Sequence, residues 1–252
     1  MLEARRSWSP EPPGTRAAPP PAICSPTGGT SAPWSVTTRL RPPPRSPPPG
    51  AELVRGDLDD PASLETAVRG TYGVYSVQSA NPNELAQGTN VVDAAKAADV
   101  RHLVYSSVGG AESQDGFYLE HGWGPIEKWQ IEQHIRSLGV PATILRPAGF
   151  MEDFTSPARF FQNGSLNVPW HDDLVMQLIA IDDIGTFAAL AFANPDHYLG
   201  QAIEITGDRL TAPQLADALS ASAGRPIPHT QIPLETRRRT SPQAPAGRAA
   251  AG

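Results

Sequence analysis

The chain is expected to fold as an α/β domain around a doubly wound parallel sheet that is incomplete at its start, with disordered ends. Three observations support this. Between residues 52 and 146, short apolar runs alternate with longer segments of helical periodicity, the pattern of repeated βαβ units. Residues 1–50 carry half of the chain's 28 prolines, and each proline removes a backbone donor and fixes φ, which excludes helix and central strand there. Residues 235–252 return to Arg, Pro, Ala and Gly, a composition with no core to bury. The expected organisation is a disordered segment over 1–50, a folded domain over 51–234 and a disordered tail over 235–252.

The elements follow in order. Residues 52–56, Glu-Leu-Val-Arg-Gly, form a short strand ending in glycine. Asp60 then caps a helix that has Pro61 at its first position. A second strand covers 73–77, and Asn83 begins a long helix with Leu85, Val91, Val92, Ala95 and Ala98 on its apolar face. Residues 102–106, His-Leu-Val-Tyr-Ser, read as a strand buried on both faces, as parallel strands are. Pro125 opens a helix with Ile126, Trp129, Ile135 and Leu138 on one side, closed by Gly139. A fourth strand covers 142–146. Beyond Pro147 the pattern loosens into a small C-terminal substrate-side region. That region has a strand at 178–181, a helix capped by Asp182 and Asp183, a strand at 202–206 and a helix opened by Thr211, Ala212 and Pro213.

Composition narrows the function classes. The net charge of −6 gives no general attraction to nucleic acid or to an anionic membrane. No run of 18 apolar residues is present, so no membrane span is expected. Cys24 is the only cysteine, which excludes an intrachain disulfide framework and a thiolate metal site and fits a cytoplasmic setting. His171-Asp172-Asp173 has no second ligand cluster in the sequence and reads as a solvated loop rather than a metal site.

Four segments carry chemistry: Gly56-Asp57-Leu58-Asp59-Asp60, Tyr105 through Ala111, Lys128, and Leu145 through Asp153. In an open α/β sheet the ligand lies outside the carboxyl ends of the strands, where all four would meet. In this order and spacing they resemble the NmrA-like family, an atypical short-chain dehydrogenase/reductase group, over about residues 51–234. The resemblance implies a Rossmann-like fold binding NADP(H). It also implies either a redox-sensing regulator that binds a protein partner or an NAD(P)H-dependent oxidoreductase acting on quinone-like substrates. By the same resemblance Asp57 lies near the adenine, Val77 and Gln78 near the dinucleotide, and Ser107 near the nicotinamide. Lys128 meets the nicotinamide ribose, and Pro147, Gly149 and Phe150 line the nicotinamide pocket. Lys128 and Ser107 are the best candidates for a catalytic role. Each assignment has a plainer rival: Asp57 as a loop cap, Ser107 as turn chemistry, Pro147 and Gly149 as shapers of a turn.

Two departures bear on function. Catalytically typical members of the wider superfamily place a tyrosine four residues before the lysine, whose cation lowers the phenol's pKa. Here that position is Gly124, and neither Tyr105 nor Tyr118 is placed on a reacting atom by the sequence. Sensing by binding therefore gains weight over catalysis. The second departure is the missing strand and glycine turn whose amides would approach a pyrophosphate. Reading codons offset by one base, with permitted wobble choices, turns residues 8–18 into Val-Thr-Gly-Ala-Thr-Gly-Asn-Gln-Gly-Gly. Trp8-Ser9 and Trp34-Ser35 each give valine in that frame if the serine codon is TCN. The expected origin of the first segment is thus a frameshift. The alternative is a genuine extension, a polyproline arm around Pro42–Pro44 that docks on a partner's aromatic groove.

Without the first two strands, the strand at 73–77 has an open edge, and the missing pairing exceeds a typical stability margin of about 5–15 kcal/mol. The chain as written is expected to be poorly soluble or partly molten and not to bind dinucleotide. Scanning calorimetry with and without NADPH checks this; a sharp transition raised by NADPH is the opposite outcome.

Overall fold

The computed structural model describes residues 54–120, 126–154, 160–162 and 164–232. Its centre is a four-stranded sheet whose order is β1-β2-β3-β8, built from β1 (Gly73–Ser76), β2 (His102–Ser106), β3 (Ala142–Pro147) and β8 (Ala202–Ile205). All three pairings are parallel, with Val74 opposite Leu103, Tyr105 opposite Ile144 and Leu145 opposite Ile203. Helices cover both faces, so β2 is buried along its whole length, as its unbroken apolar run anticipates.

Strand alternation sends successive side chains to opposite layers. On one face Val74, Leu103, Tyr105 and Ile144 join Leu64 and Val68 of α1 (Pro61–Val68), Val91, Val92 and Ala95 of α2 (Glu84–Ala97), and Ile131 and Ile135 of α4 (Glu127–Leu138). On the other face Val104, Leu145 and Ile205 meet Ile184, Ala188 and Phe192 of α5 (Ile181–Ala193). Asp60 caps α1 by accepting from the Ala62 amide, with Pro61 in the first turn. Gly139, at φ +60°, closes α4 in the left-handed conformation that glycine adopts without a Cβ penalty. Gly88 lets α2 and α4 approach closely, because a Cβ there would lie 2.2 Å from Ile131 Cδ1.

Apart from a helix over Ala111–Glu120, the remaining elements lie C-terminal to β3. One three-stranded sheet runs β4 (Gly149–Phe150), β7 (Met176–Ile179), β9 (Asp208–Leu210), and another runs β10 (His229–Gln231), β6 (Ser165–Val168), β5 (Phe161–Gln162). Phe154 stacks on Phe160 at 4.8 Å, and Trp170 meets both rings edge-on. These rings pack with Leu166, Leu178 and Leu215, the last from α7 (Ala212–Ala223). Thr211 opens α7 with a complete capping box to Gln214. The short helix α6 (Pro195–Tyr198) leads into β8. Among the described residues, no helix is long and apolar enough to cross a membrane.

Several expectations need correction. Residues 54–56 form no strand, since no neighbouring strand among the described residues offers them a ladder, and residues 51–53 lie outside the described set. The strand expected at 178–181 sits two residues earlier, and α5 is capped at Ala180, with Asp182 and Asp183 inside its first turn. The strand from Ala202 belongs to the main sheet rather than to a separate substrate-side region, because its backbone pairs with β3. A helix, α3 (Ala111–Glu120), follows the glycine turn, in a stretch for which the sequence pattern predicts no element. Pro125 and Gly124 lie outside the described residues, and α4 begins at Glu127. β1 does form the sheet's edge among the described strands.

His102 is fully buried at the start of β2, its Nε2 2.8 Å from Thr143 Oγ1, which itself donates to the Tyr198 carbonyl. That chain of donors makes Nε2 the protonated nitrogen. Burial lowers the imidazole's pKa below its ordinary 6.5, so the folded chain holds it neutral. Below about pH 6.5 the unfolded chain takes up a proton that the folded chain refuses. The stability from a neutral His102 is thus present above that pH and declines as pH falls, with a slope of at most about 1.4 kcal/mol per pH unit. His102→Phe is expected to flatten this dependence, read as amide-exchange protection factors in β2 between about pH 7 and about pH 5.

Candidate functional site

The carboxyl ends of β1, β2 and β3 open on the same edge of the sheet, because the strands are parallel. Six charged side chains near that edge are paired in a defined way. Lys128, in the first turn of α4, sends Nζ to within 2.8 Å of Glu84 Oε1 and donates to the Gln78 carbonyl at 2.9 Å. Both carboxylate and ammonium are sheltered, with side-chain exposures of 6% for Glu84 and 18% for Lys128. The ammonium donates one hydrogen bond, to Gln78, and pairs by charge with Glu84. Gln78 is buried beside them. Its amide nitrogen donates to Ser76 Oγ at 2.9 Å, while its side-chain carbonyl has no partner among the described residues.

The second group centres on Glu132, one turn further along α4 and fully buried. Its Oε1 accepts from Ser107 Oγ at 2.6 Å and from Arg146 Nε at 3.0 Å, and its Oε2 accepts from Arg146 at 2.7 Å and from Arg136 at 3.0 Å. The fork geometry matches a carboxylate bidentately. Hydrogen bonding to Glu132 is the leading cause that raises the Arg146 pKa above its usual range. Trp129 lies under both guanidinium groups, 5.1 Å from Arg136 and 5.6 Å from Arg146. Tyr105 is fully buried between the two groups, and its hydroxyl has no partner among the described residues. Burial first, and then the charges of Glu84 and Glu132, hold that phenol far above its ordinary pKa, so it stays protonated and away from solvent.

The glycine turn after β2 completes the edge. Gly109 donates to the Pro147 carbonyl at 2.8 Å, which fastens this turn to the end of β3. The Gly110 amide, next to the start of α3, points at the Glu204 carboxylate at 3.1 Å and 3.2 Å. A helix N-terminus of this kind suits an anion, and in this chain Glu204 supplies it.

The site residues named from sequence are brought together only in part. Gln78, Ser107 and Lys128 come together at the strand ends, although Ser107 is buried and its hydroxyl is committed to Glu132. Pro147 ends β3, and Gly149 and Phe150 follow it; Phe150 is 39% exposed, and Gly149 and Phe150 pair with Leu178 and Ile179 of β7. Val77 is 52% exposed, next to buried Gln78. Asp57 is exposed and closes its own turn, its side chain accepting from the Asp59 amide at 3.0 Å. Asp172 holds His229 at 2.9 Å and so ties the 171–173 loop to β10. Glu84 and Glu132 were missed from sequence. A carboxylate at a helical position reads as solvent-facing, and only an accompanying basic residue on the facing strand, here Arg146, signals otherwise.

Part of a dinucleotide finds suitable polar groups among the described residues of this edge. The Lys128 ammonium and the unpaired carbonyl of Gln78 are polar groups that a ribose or a carboxamide would satisfy. For a pyrophosphate, the described residues offer no strand, glycine turn and helix N-terminus in succession beside β1.

Removing the Glu132 carboxylate strands Arg146, whose side chain is 12% exposed, and the Ser107 hydroxyl. Glu132→Ala is expected to cost about 3–5 kcal/mol and Glu132→Gln distinctly less, since an amide still accepts one of these bonds. Amide-exchange protection in α4 and β3 reports both.

The model of the NmrA-like family matches residues 45–247 of this chain. Among curated proteins, an NAD(P)H azoreductase of Xenophilus azovorans is 30% identical over 188 residues, covering 74% of this chain and 63% of that protein. The nitrogen metabolite repression protein nmrA of Emericella nidulans is 27% identical over 198 residues, covering 73% of this chain and 56% of the relative. The chain therefore spans less than two thirds of the length of these relatives. Among solved structures, the NADPH-dependent quinone oxidoreductase QOR2 of Escherichia coli, complexed with NADPH, superposes with a TM-score of 0.62 at 23% identity, covering 73% of this chain and 63% of that one, a likeness of fold. Together with the parallel sheet and its helices, the family match establishes that this chain belongs to the NmrA-like family.

Proposed function

We propose that this chain is an NAD(P)-binding protein of the redox-sensing or regulatory type, whose grip on the dinucleotide is impaired as the chain is written. The observation that carries the reading is the Lys128–Glu84–Gln78 group at the strand ends, a set suited to holding ribose and carboxamide. Tyr105 offers it no hydroxyl, being sealed in the core. Holding without proton transfer is what a sensor needs. Asp57, Val77, Gln78, Ser107, Lys128, Pro147, Gly149 and Phe150 are the proposed cofactor contacts, with NADP(H) as the cofactor. The impairment follows from the half-fit: the ribose end has its polar partners, and the pyrophosphate end has no glycine turn among the described residues.

The second reading is an NAD(P)H-dependent oxidoreductase acting on a quinone-like acceptor. It is favoured by the exposed apolar side chains of Phe150, Val175 and Ile181 on β4, before β7 and at the start of α5, a surface suited to a flat aromatic. It is favoured too by the reductases among the relatives. A protein partner, a cytoplasmic location and a folded unit confined to about 51–234 belong to the same proposal.

The discriminating experiment uses the chain as written and a chain whose first fifty residues are restored to the offset frame. The restored chain is expected to gain at least a 5 °C rise in melting temperature with saturating NADPH, and the original chain none. Lys128→Ala in the restored chain is expected to weaken NADPH about tenfold, the loss of one charge-assisted contact. NADPH consumption with a quinone and azo-dye panel separates the two readings; turnover by the restored chain overturns the purely regulatory one. Equal NADPH stabilisation of both chains overturns the impairment.

A further inference from the structure

We propose that Gln87 is a positioning residue of the strand-end site. Through one buried amide it clamps the Asp57–Asp60 turn to the segment that carries Gln78. It thereby fixes the separation between that turn and Lys128 for a ligand with a polar group at each end. The clamp stands on its own contacts. Only the naming of the ligand as a dinucleotide rests on the function proposed above.

The first two turns of α2 bury two polar side chains, Glu84 at 5% exposure and Gln87 at 6%. Three residues apart, they are neighbours on the helix surface, and they hold different partners. Glu84 pairs with Lys128 at 2.8 Å. Gln87 sends Nε2 to both oxygens of Asp59, at 3.0 Å and 3.1 Å, and its Oε1 accepts from Asn81 Nδ2 at 3.1 Å. A carboxylate only accepts, so Asp59 requires the NH2 end of the amide and leaves the oxygen end to Asn81. Asn81 also donates to the Ser79 carbonyl at 2.7 Å, one residue from Gln78, whose own carbonyl takes Lys128 Nζ at 2.9 Å. A continuous run of polar contacts therefore joins Asp59 to the lysine.

The turn closes on itself. Asp57 accepts from the Asp59 amide at 3.0 Å, and the Ser63 hydroxyl donates to the Asp60 carbonyl at 2.8 Å. Those bonds set its shape, whereas its place beside the sheet is set from α2. Asn83 donates to Asp59 at 3.2 Å and Asn90 to the Leu58 carbonyl at 2.9 Å. Asp59, Asn81 and Asn83 are exposed, where water competes for each bond, while Gln87 is buried. A buried amide that loses a partner bears the full desolvation cost of the freed group. Displacing either the turn or the 78–81 segment strands one end of Gln87, so the two are held at one separation. The turn offers a carboxylate, Asp57, and the far end an ammonium balanced by Glu84. That pair suits a ligand with a hydrogen-bond donor at one end and a neutral acceptor at the other. A separation fixed in advance spares such a ligand the cost of ordering the site.

The chain has two lysines, Lys96 and Lys128, and Lys96 is exposed, so each molecule carries its own reference. Reductive methylation of the full chain, read peptide by peptide in a mass spectrometer, gives the Lys128-to-Lys96 rate ratio. In the unsubstituted chain Lys128 is expected to be the slower. Gln87→Glu keeps the side chain's shape and the bond from Asn81 but sets a carboxylate against Asp59. It is expected to raise the ratio by about tenfold, the fold-change of one lost hydrogen bond to a charged group. Adding Asp59→Asn to that variant reverses donor and acceptor, and it is expected to bring the ratio back to within about twofold of the starting value. Asp93→Ala removes the 2.7 Å contact with His134 further along α2 and is expected to leave the ratio unchanged. Three results overturn the proposal: equal rates at both lysines in the unsubstituted chain, no rise or no rescue in the swapped pair, and a rise with Asp93→Ala as large as with Gln87→Glu, which marks general loosening of the helix. NADPH titration of the chain restored to the offset frame separates this proposal from the dinucleotide reading. Gln87→Glu is expected to weaken NADPH about tenfold there, with recovery in the double variant. Equal affinity with and without Gln87→Glu overturns the positioning role and leaves the dinucleotide reading standing. No uptake by the restored chain sinks the dinucleotide reading, and the lysine ratio then decides the clamp by itself.

Discussion

The Glu132 carboxylate is the interaction on which the arrangement of this domain's working edge depends. It is fully buried and takes hydrogen bonds from β3 through Arg146, from the turn after β2 through Ser107, and from its own helix through Arg136. A buried carboxylate is costly unless each lone pair finds a donor. Because the donors come from different elements, satisfying the charge also fixes where α4 stands against the sheet. Lys128 lies one turn earlier on that helix, so its position is a consequence of the same pairing.

Around this anchor, the polar groups are divided by depth. Glu132, Tyr105 and Ser107 are inside and hold the frame, Lys128 is sheltered at the edge by Glu84, and Val77 and Phe150 are exposed. Glu204 occupies the Gly110 amide and reaches Arg146 at 3.4 Å, which extends the frame to β8. The site is therefore well supported on the side of β2, β3 and β8. On the side of β1 the sheet ends, and the chemistry that a phosphate needs ends with it among the described residues. The family's fold and this chain's particular geometry meet at that boundary.

Much of the fold was legible in the residues. The apolar runs at 102–106 and 142–146 appear as β2 and β3, Pro61 and Thr211 mark helix starts, and Gly139 marks a helix end. These are local effects: capping, proline geometry and strand burial act within a few residues. Lys128 was legible because a lysine in the first turn of a helix after a parallel strand falls at the ligand edge. What was illegible depended on distant partners. Ala111–Glu120 has no clear apolar face to announce a helix, and Ala202–Ile205 has the same look in either sheet.

The sequence by itself determined the alternation of strands and helices and the family, since these rest on periodicity and on motifs carried along the chain. Only the tertiary structure decided that Ser107 points into the core rather than out of it and that Glu84 restrains Lys128. The physical reason is the same in each case. A charge or a strand edge is satisfied by whatever the fold brings beside it, and that neighbour can lie 25 residues away, as Ser107 and Glu132 do.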